Sequence, residues 1–149
     1  MNLGTNLAVV VLALLALESL PGSALAAATI EAKLIYAAND SDEPDQHLLK
    51  ELEPRLRHDF GYKHYRLLGE KSAEMKEGDN VMLDLGHQFQ LSVKHKGAKK
   101  DFQILQIDLF HKKEWRLYFE LSVKQKGEPI FVKGPPTDNG LVIIELAAK

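Results

Sequence analysis

Apolar and polar side chains alternate with a period of two over about eight segments, and turn-forming residues separate these segments at intervals of about ten residues. Such alternation leaves one face of each strand in water, which is typical of antiparallel sheets. One further segment carries leucines at helical spacing. Together these observations predict a mainly β fold, an antiparallel immunoglobulin-like β-sandwich of about eight strands with one helix inserted after the first strand. A small α+β domain with a βαβ start is the alternative, because the position of the helix fits both.

The composition places the chain among ordinary globular proteins. It has 149 residues, of which 45% are hydrophobic and 27% are charged, and it contains no Cys. Disordered chains and disulfide scaffolds are therefore excluded as classes. The net charge of −2 argues against a dedicated nucleic-acid-binding protein, which should be basic as a whole or on one face.

The first 26 residues have the features of an export leader. An unbroken apolar run, Leu7–Leu17, is followed by Pro21 and by the small-x-small sequence Ala24–Ala26. The run is too short to span a membrane, so we expect a secretory signal peptide over 1–26 and a single β-rich domain over 27–149. An exported domain without disulfides is typical of the bacterial periplasm or cell surface. We expect no membrane span in the mature chain.

The mature chain begins with the predicted first strand, Thr29–Ala37, which an acidic loop, Asn39–Asp45, connects to the predicted helix. Asp42 or Asp45 is the expected N-cap. Pro54 is expected to kink the helix or end it early. The apolar face of the helix consists of four leucines: Leu48, Leu49, Leu52 and Leu56.

Alternation and turn residues predict the remaining strands. A change of phase after Ile104 suggests a β-bulge in the strand that begins at Phe102. The clearest alternation, Trp115–Val123, predicts a central strand with Trp115 near one end of the core. The predicted segments are Tyr62–Leu68, Val81–Leu85, Phe89–Val93, Phe102–Leu109, Trp115–Val123, Pro129–Lys133 and Leu141–Ala147.

No familiar reactive constellation occurs in the sequence, so we expect no catalytic residues, no metal site, no cofactor and no enzymatic activity. The serines lack a nucleophile-elbow motif, and no Gly-rich phosphate loop occurs. The acidic loop could bind Ca²⁺, but helix capping accounts for the same acids. The histidines lack the spacing of a zinc motif: His47, His58, His64, His87, His95 and His111.

Aromatic and basic residues are interleaved in two stretches, near Tyr62 and near Trp115. Such stretches bind glycans or polyanions by stacking and charge. They form our candidate binding face: Tyr62, His64, Tyr65, Arg66, Lys112, Lys113, Arg116 and Tyr118.

Three segments, Lys33–Asp40, Tyr62–Leu68 and Gly134–Ile144, together with the leucine-rich helix between the first two, resemble short exported proteins of unassigned activity from Verrucomicrobia and related bacteria. Some of these proteins are pilus-associated and have an immunoglobulin-like fold. The resemblance implies a role in assembly of the cell envelope and carries no catalytic residues over.

The function expected from these observations is that of a non-enzymatic, exported structural or interaction domain of a bacterial cell-envelope apparatus, with type IV pili as one setting. Its partner would be another envelope protein. The alternative is a β-sandwich module that binds a glycan or polyanion, and a hydrolase of unknown type is the third. No nucleic-acid partner is expected.

Overall fold

The computed structural model describes residues 27–40 and 50–149. The segment 1–26, predicted as a signal peptide, lies outside the described residues, as do most of the acidic loop, His47, Leu48 and Leu49. Within the described part, eight strands and one helix follow one another along the chain: β1 (Ala28–Ala38), α1 (Glu53–Phe60), β2 (His64–Met75), β3 (Asn80–Gly86), β4 (Phe89–Lys99), β5 (Phe102–His111), β6 (Glu114–Lys124), β7 (Ile130–Thr137) and β8 (Gly140–Ala148).

The strands form two four-stranded sheets. The first sheet has the order β2-β1-β8-β7, and the second is a meander, β3-β4-β5-β6. All neighbouring strands in both sheets are antiparallel. The predicted antiparallel β-sandwich with a helix after its first strand is therefore confirmed. The βαβ alternative is wrong, because β1 and β2 are antiparallel neighbours.

The main core lies between the two sheets and consists of the inward residues of both. On the second sheet these include Leu91, Ile107 and Leu109, which are fully buried. The strand β8 is buried at every position from Leu141 to Ala148. Its even-numbered apolar residues face the second sheet, and Leu141 and Ile143 belong to a smaller cluster on the outer side of the first sheet.

The helix α1 covers part of that outer side. Leu56 is its fully buried residue and packs in the smaller cluster with Tyr65. The expected kink at Pro54 does not occur, because Pro54 lies in the first helical turn, where its missing N–H would be unpaired in any residue. Leu52 occupies the N-cap of α1 and makes no side-chain capping hydrogen bond; the expected caps, Asp42 and Asp45, lie outside the described residues. The helix ends at Gly61, whose φ of 74° favours glycine.

Two predictions about β6 are wrong. It is an edge strand of the second sheet and not a central strand. Trp115 is 59% exposed instead of lying at an end of the core, because the pairing with β5 shifts register between Leu109↔Leu117 and Phe110↔Trp115. This shift leaves Arg116 unpaired as a β-bulge and turns Trp115 to the face opposite Leu117.

The predicted bulge in β5 is also misplaced. The strand β5 alternates regularly, with Gln103 on the inner side next to Leu105. The register shift lies in the partner strand β4, between His95 and Gly97. Gln103 and His95 are both buried beside this register shift. The Gln103 side-chain oxygen lies 2.6 Å from His95 Nε2, and this hydrogen bond offsets the cost of burying the two polar side chains.

Candidate functional site

The structure separates the eight residues of the predicted binding face into two groups. The first group, at the start of β2, comprises Tyr62, His64, Tyr65 and Arg66. Tyr65 is only 1% exposed, and its hydroxyl donates a hydrogen bond to the Leu56 carbonyl oxygen at 2.8 Å. Tyr65 is therefore part of the contact between α1 and the first sheet and is not accessible to a ligand.

The other members of the first group are half-buried. The Tyr62 backbone N–H donates to the Tyr65 hydroxyl at 3.1 Å. The Arg66 guanidinium lies 5.6 Å from the ring centroid of Tyr36 on the neighbouring strand β1. This group therefore contributes to the packing at one end of the first sheet.

The second group consists of Lys112, Lys113, Arg116 and Tyr118, all on β6 or on the turn between β5 and β6. The strands β2 and β6 lie at opposite sides of the sandwich, since β2 contacts β3 while β6 contacts β7 and β8. The two groups are therefore not one surface. The second group adjoins an exposed sheet face, whereas Tyr62 of the first group lines a separate cleft at the end of α1.

That exposed surface is the outer side of the second sheet, which we call the open face. No described element packs on it, whereas α1 covers part of the outer side of the first sheet. Residues directly opposite in neighbouring strands share a face, so the open face consists of three rows that each cross four strands. The rows are Asp84–Gln90–Phe110–Trp115, Met82–Ser92–Asp108–Tyr118 and Asn80–Lys94–Gln106–Glu120.

Trp115 is on the open face because of the bulge at Arg116. Its indole Nε1 donates a hydrogen bond to Asp108 Oδ1 at 3.0 Å, and Gln106 lies 3.5 Å from the other carboxylate oxygen. The hydrogen bond favours one orientation of the indole ring, although the side chain is largely exposed. Tyr118, 49% exposed, lies in the adjacent row. The sequence reasoning missed Trp115 as a site residue because regular alternation assigned it to the core.

A cleft of about 500 Å³ adjoins the first of these rows. Its walls are the β3–β4 turn, with His87 and Gln88, and the β5–β6 turn, with Lys112 and Lys113. The Lys112 N–H donates to the Gln88 carbonyl oxygen at 3.0 Å and thereby connects the turns. Asp84 and Gln90, from the row that contains Trp115, line the cleft as well, so cleft and open face are continuous.

His111 ends β5 directly before the β5–β6 turn. The ring of His111 stacks on Phe89 with a centroid distance of 4.1 Å. Burial, with the charges of Lys112 and Arg116, lowers the pKa of His111.

A separate charged cluster lies on the first sheet. Lys33 Nζ is 3.0 Å from both Glu31 Oε1 and Glu145 Oε1, and Glu145 is buried. Burial opposes the charges, but the hydrogen bonds and opposite charges within the cluster prevail, so the pKa of Lys33 is raised and that of Glu31 is lowered. Lys149 Nζ lies 3.6 Å from Glu31 Oε1, so the cluster contains two bases and two acids, which indicates a structural role.

Across residues 27–40 and 50–149, no three His, Asp or Glu side chains lie together in an arrangement that could hold a metal ion. The acidic loop is mostly outside this part of the chain, so the suggestion that it could bind Ca²⁺ is not tested by the structure. Within the same residues no helix has the length and apolar character needed to cross a bilayer.

The described residues thus define a two-sheet antiparallel β-sandwich with one outer face partly covered by a helix and the other open. No protein-family model, curated protein or solved structure matches the chain.

Proposed function

We propose that the chain is a non-enzymatic binding domain that holds a glycan on its open face. The observation that carries the proposal is the outward-turned Trp115, next to Tyr118 and interleaved with hydrogen-bonding side chains. Aromatic rings offer flat apolar surfaces on which sugar rings stack, and they lose little conformational entropy on binding.

The polar residues between the rings match the hydroxyl groups of a sugar. Gln90, Ser92 and Gln106 supply donors and acceptors from central strands of the sheet. Sites on strands are more rigid than sites on loops, so these groups are already positioned before a ligand binds.

The charge content of the open face favours a glycan over an apolar protein partner. Asp84, Asp108 and Glu120 belong to its three rows together with Lys94. The centres of protein interfaces are depleted of charged residues, because the charges would lose their hydration there. A hydrated ligand such as a glycan leaves these side chains in contact with water.

The carboxylates of the open face make hydrogen bonds and ion pairs that hold neighbouring groups in place, and we assign them no catalytic role. Asp108 binds the indole of Trp115, and Asp84 Oδ1 accepts a hydrogen bond from the Gly86 N–H at 2.9 Å. Glu120 lies 3.8 Å from the Lys96 ammonium group. This arrangement supports binding and offers no separate argument for a hydrolase.

Export through the leader, and a place in a bacterial envelope apparatus beside another envelope protein, stay part of the proposal as its cellular setting. They rest on the sequence of residues 1–26 and on the resemblance given above. A glycan-binding domain would meet its ligand in the same compartment.

The test is binding of the purified protein to an array of neutral and acidic glycans, followed by titration of the strongest ligand. Trp115→Ala should lower the affinity at least about tenfold, as expected for an aromatic residue at the centre of a site. Phe102→Ala is the matched control, since Phe102 is 39% exposed near the opposite end of the same sheet.

The expected result is a normal melting temperature for both variants and a loss of affinity for Trp115→Ala alone. The proposal is wrong if the array shows no bound glycan, or if the two variants lose affinity equally. An envelope protein recovered in place of any glycan would favour the structural role instead.

A further inference from the structure

The cleft beside the open face gives the proposed glycan site a charge preference. This charge preference rests on the proposed function, glycan binding, and concerns the chemical class of the glycan. Lys112 and Lys113 are exposed on one wall of the cleft. Neither makes an ion pair within the described residues, whereas Lys96 and Lys124 of the same sheet pair with Glu120 and Asp101.

The backbone of the β5–β6 turn is unfavourable for the residues that occupy it. Lys112 and Lys113 have φ values of 53° and 65°. A two-residue hairpin with both central residues at positive φ is normally built from Asn-Gly or a similar pair. Side chains retained in strained backbone tend to be found where a function needs them.

The neighbouring β3–β4 turn repeats this feature. His87 and Gln88 have φ values of 51° and 63°, again with no glycine at either position. Both turns line the cleft and are joined through the Lys112 backbone. Two turns with positive φ values thus lie side by side along the cleft, each carrying polar or basic side chains, although Lys100 and Lys126, which do not line the cleft, also have positive φ values.

The distribution of charge limits the ligand further. The cleft contains two unpaired ammonium groups against one carboxylate, that of Asp84. The three rows of the open face carry more acids than bases. A polymer charged on every sugar would be repelled along the rows, whereas a single anionic group placed in the cleft would be attracted.

We infer that the site selects a glycan in which one uronic acid is joined to neutral sugars, with the uronate carboxylate in the cleft between the two turns and the neutral sugars on Trp115 and Tyr118. The cleft volume of about 500 Å³ lies within the range of small-molecule sites. Lysine ammonium groups would pair with the carboxylate, and Gln88 and Gln90 would reach the ring hydroxyls.

The experiment compares acidic and neutral forms of the same glycans. The probes are xylo-oligosaccharides that carry one glucuronate, their methyl esters, the unsubstituted xylo-oligosaccharides, and heparin as a densely charged polyanion. The glycan array described above supplies further pairs of single-uronate glycans and their methyl esters. Each probe is titrated at low and high salt.

The decisive variant is Lys112→Asn/Lys113→Gly, which gives the turn its preferred residues and should raise the melting temperature. Its affinity for single-uronate glycans should fall about tenfold, the size expected for two exposed ion pairs, while affinity for the neutral forms stays unchanged. The matched control is Lys99→Asn/Lys100→Gly, which removes the same charge near the β4–β5 turn, where Lys100 has a φ of 57°.

Preference for the uronate over its methyl ester, weakened by salt and lost only in the Lys112/Lys113 variant, is the expected result. Equal binding of acid and ester, an equal loss in both lysine variants, or strongest binding to heparin would overturn the inference. If neutral glycans bind through Trp115 without any preference for the acid, the proposed function stands and only this inference fails. If no glycan binds, the proposed function itself is wrong.

Discussion

Replacing Tyr65 with Phe removes one oxygen atom that connects α1 to the first sheet. The hydroxyl donates to the Leu56 carbonyl oxygen at 2.8 Å and accepts from the Tyr62 N–H at 3.1 Å. Since Tyr65 is fully buried, water does not replace these hydrogen bonds without local opening. Leaving buried partners unsatisfied costs about 1–3 kcal/mol. Because Tyr62 is only half-buried, we expect about 2 kcal/mol for Tyr65→Phe.

The assay is urea unfolding followed by circular dichroism, with hydrogen exchange of the Tyr62 amide as a local readout. A domain of this size loses roughly 4 °C of melting temperature per kcal/mol. Tyr118→Phe is the matched control, because Tyr118 is 49% exposed and its change should stay within about 0.5 kcal/mol. Equal stability of the two variants, with the Tyr62 amide still protected in Tyr65→Phe, would refute this account of the contact between α1 and the sheet.

Two further predictions concern stability. Phe119→Ala should lower the free energy of unfolding by about 2 kcal/mol, less than the 3–5 kcal/mol of a fully buried Phe, because Phe119 is half-buried on an edge strand. Glu120→Ala on the open face should change the stability little. An equal loss of stability in both variants would contradict the assignment of these residues to opposite faces. Glu31 has a lowered pKa, so its stabilisation is present above the ordinary carboxyl value of 4.5 and is lost as the pH falls through the lowered value. Lys33 has a raised pKa, so its stabilisation is complete below 10.5 and is lost as the pH rises through the raised value. The urea midpoint of unfolding should therefore fall at both the acidic and the alkaline end of the pH range. A midpoint that does not change with pH would contradict the stabilising role of the Glu31–Lys33–Glu145 cluster.

Strand alternation made most of the fold predictable from the sequence. The apolar residues of Val81–Leu85 and Phe89–Val93 face the core as the pattern requires. The strand β2 was predicted too short, ending at Leu68, although it continues to Met75. The residues after Gly69 are mostly polar and resemble a loop, but they pair along β1. That pairing is a tertiary interaction which local sequence does not encode.

The site was less predictable because it depends on a single extra residue. Regular alternation would place Trp115 with Leu117 and Phe119 in the core. The bulge at Arg116 reverses its direction, and a bulge is defined by the register of the partner strand rather than by local composition. The prediction that Tyr65 belongs to a binding face was wrong for a related reason. Alternation identifies the face of a strand on which a residue lies, but it does not show whether a helix covers that face.

The connectivity explains which outer face stays open. Because β1 and β2 are neighbours in the first sheet, the segment between them, which contains α1, begins and ends at that sheet. Short two-residue turns connect β3 to β4 and β5 to β6, and they are too short to fold over a sheet face. The only helix of the described chain therefore shields the first sheet, and the second sheet retains a solvent-exposed outer face. Trp115, which a bulge on the second sheet turns outward, is therefore exposed and accessible to a ligand. Tyr65 lies on the sheet that α1 shields and is buried by the packing of that helix.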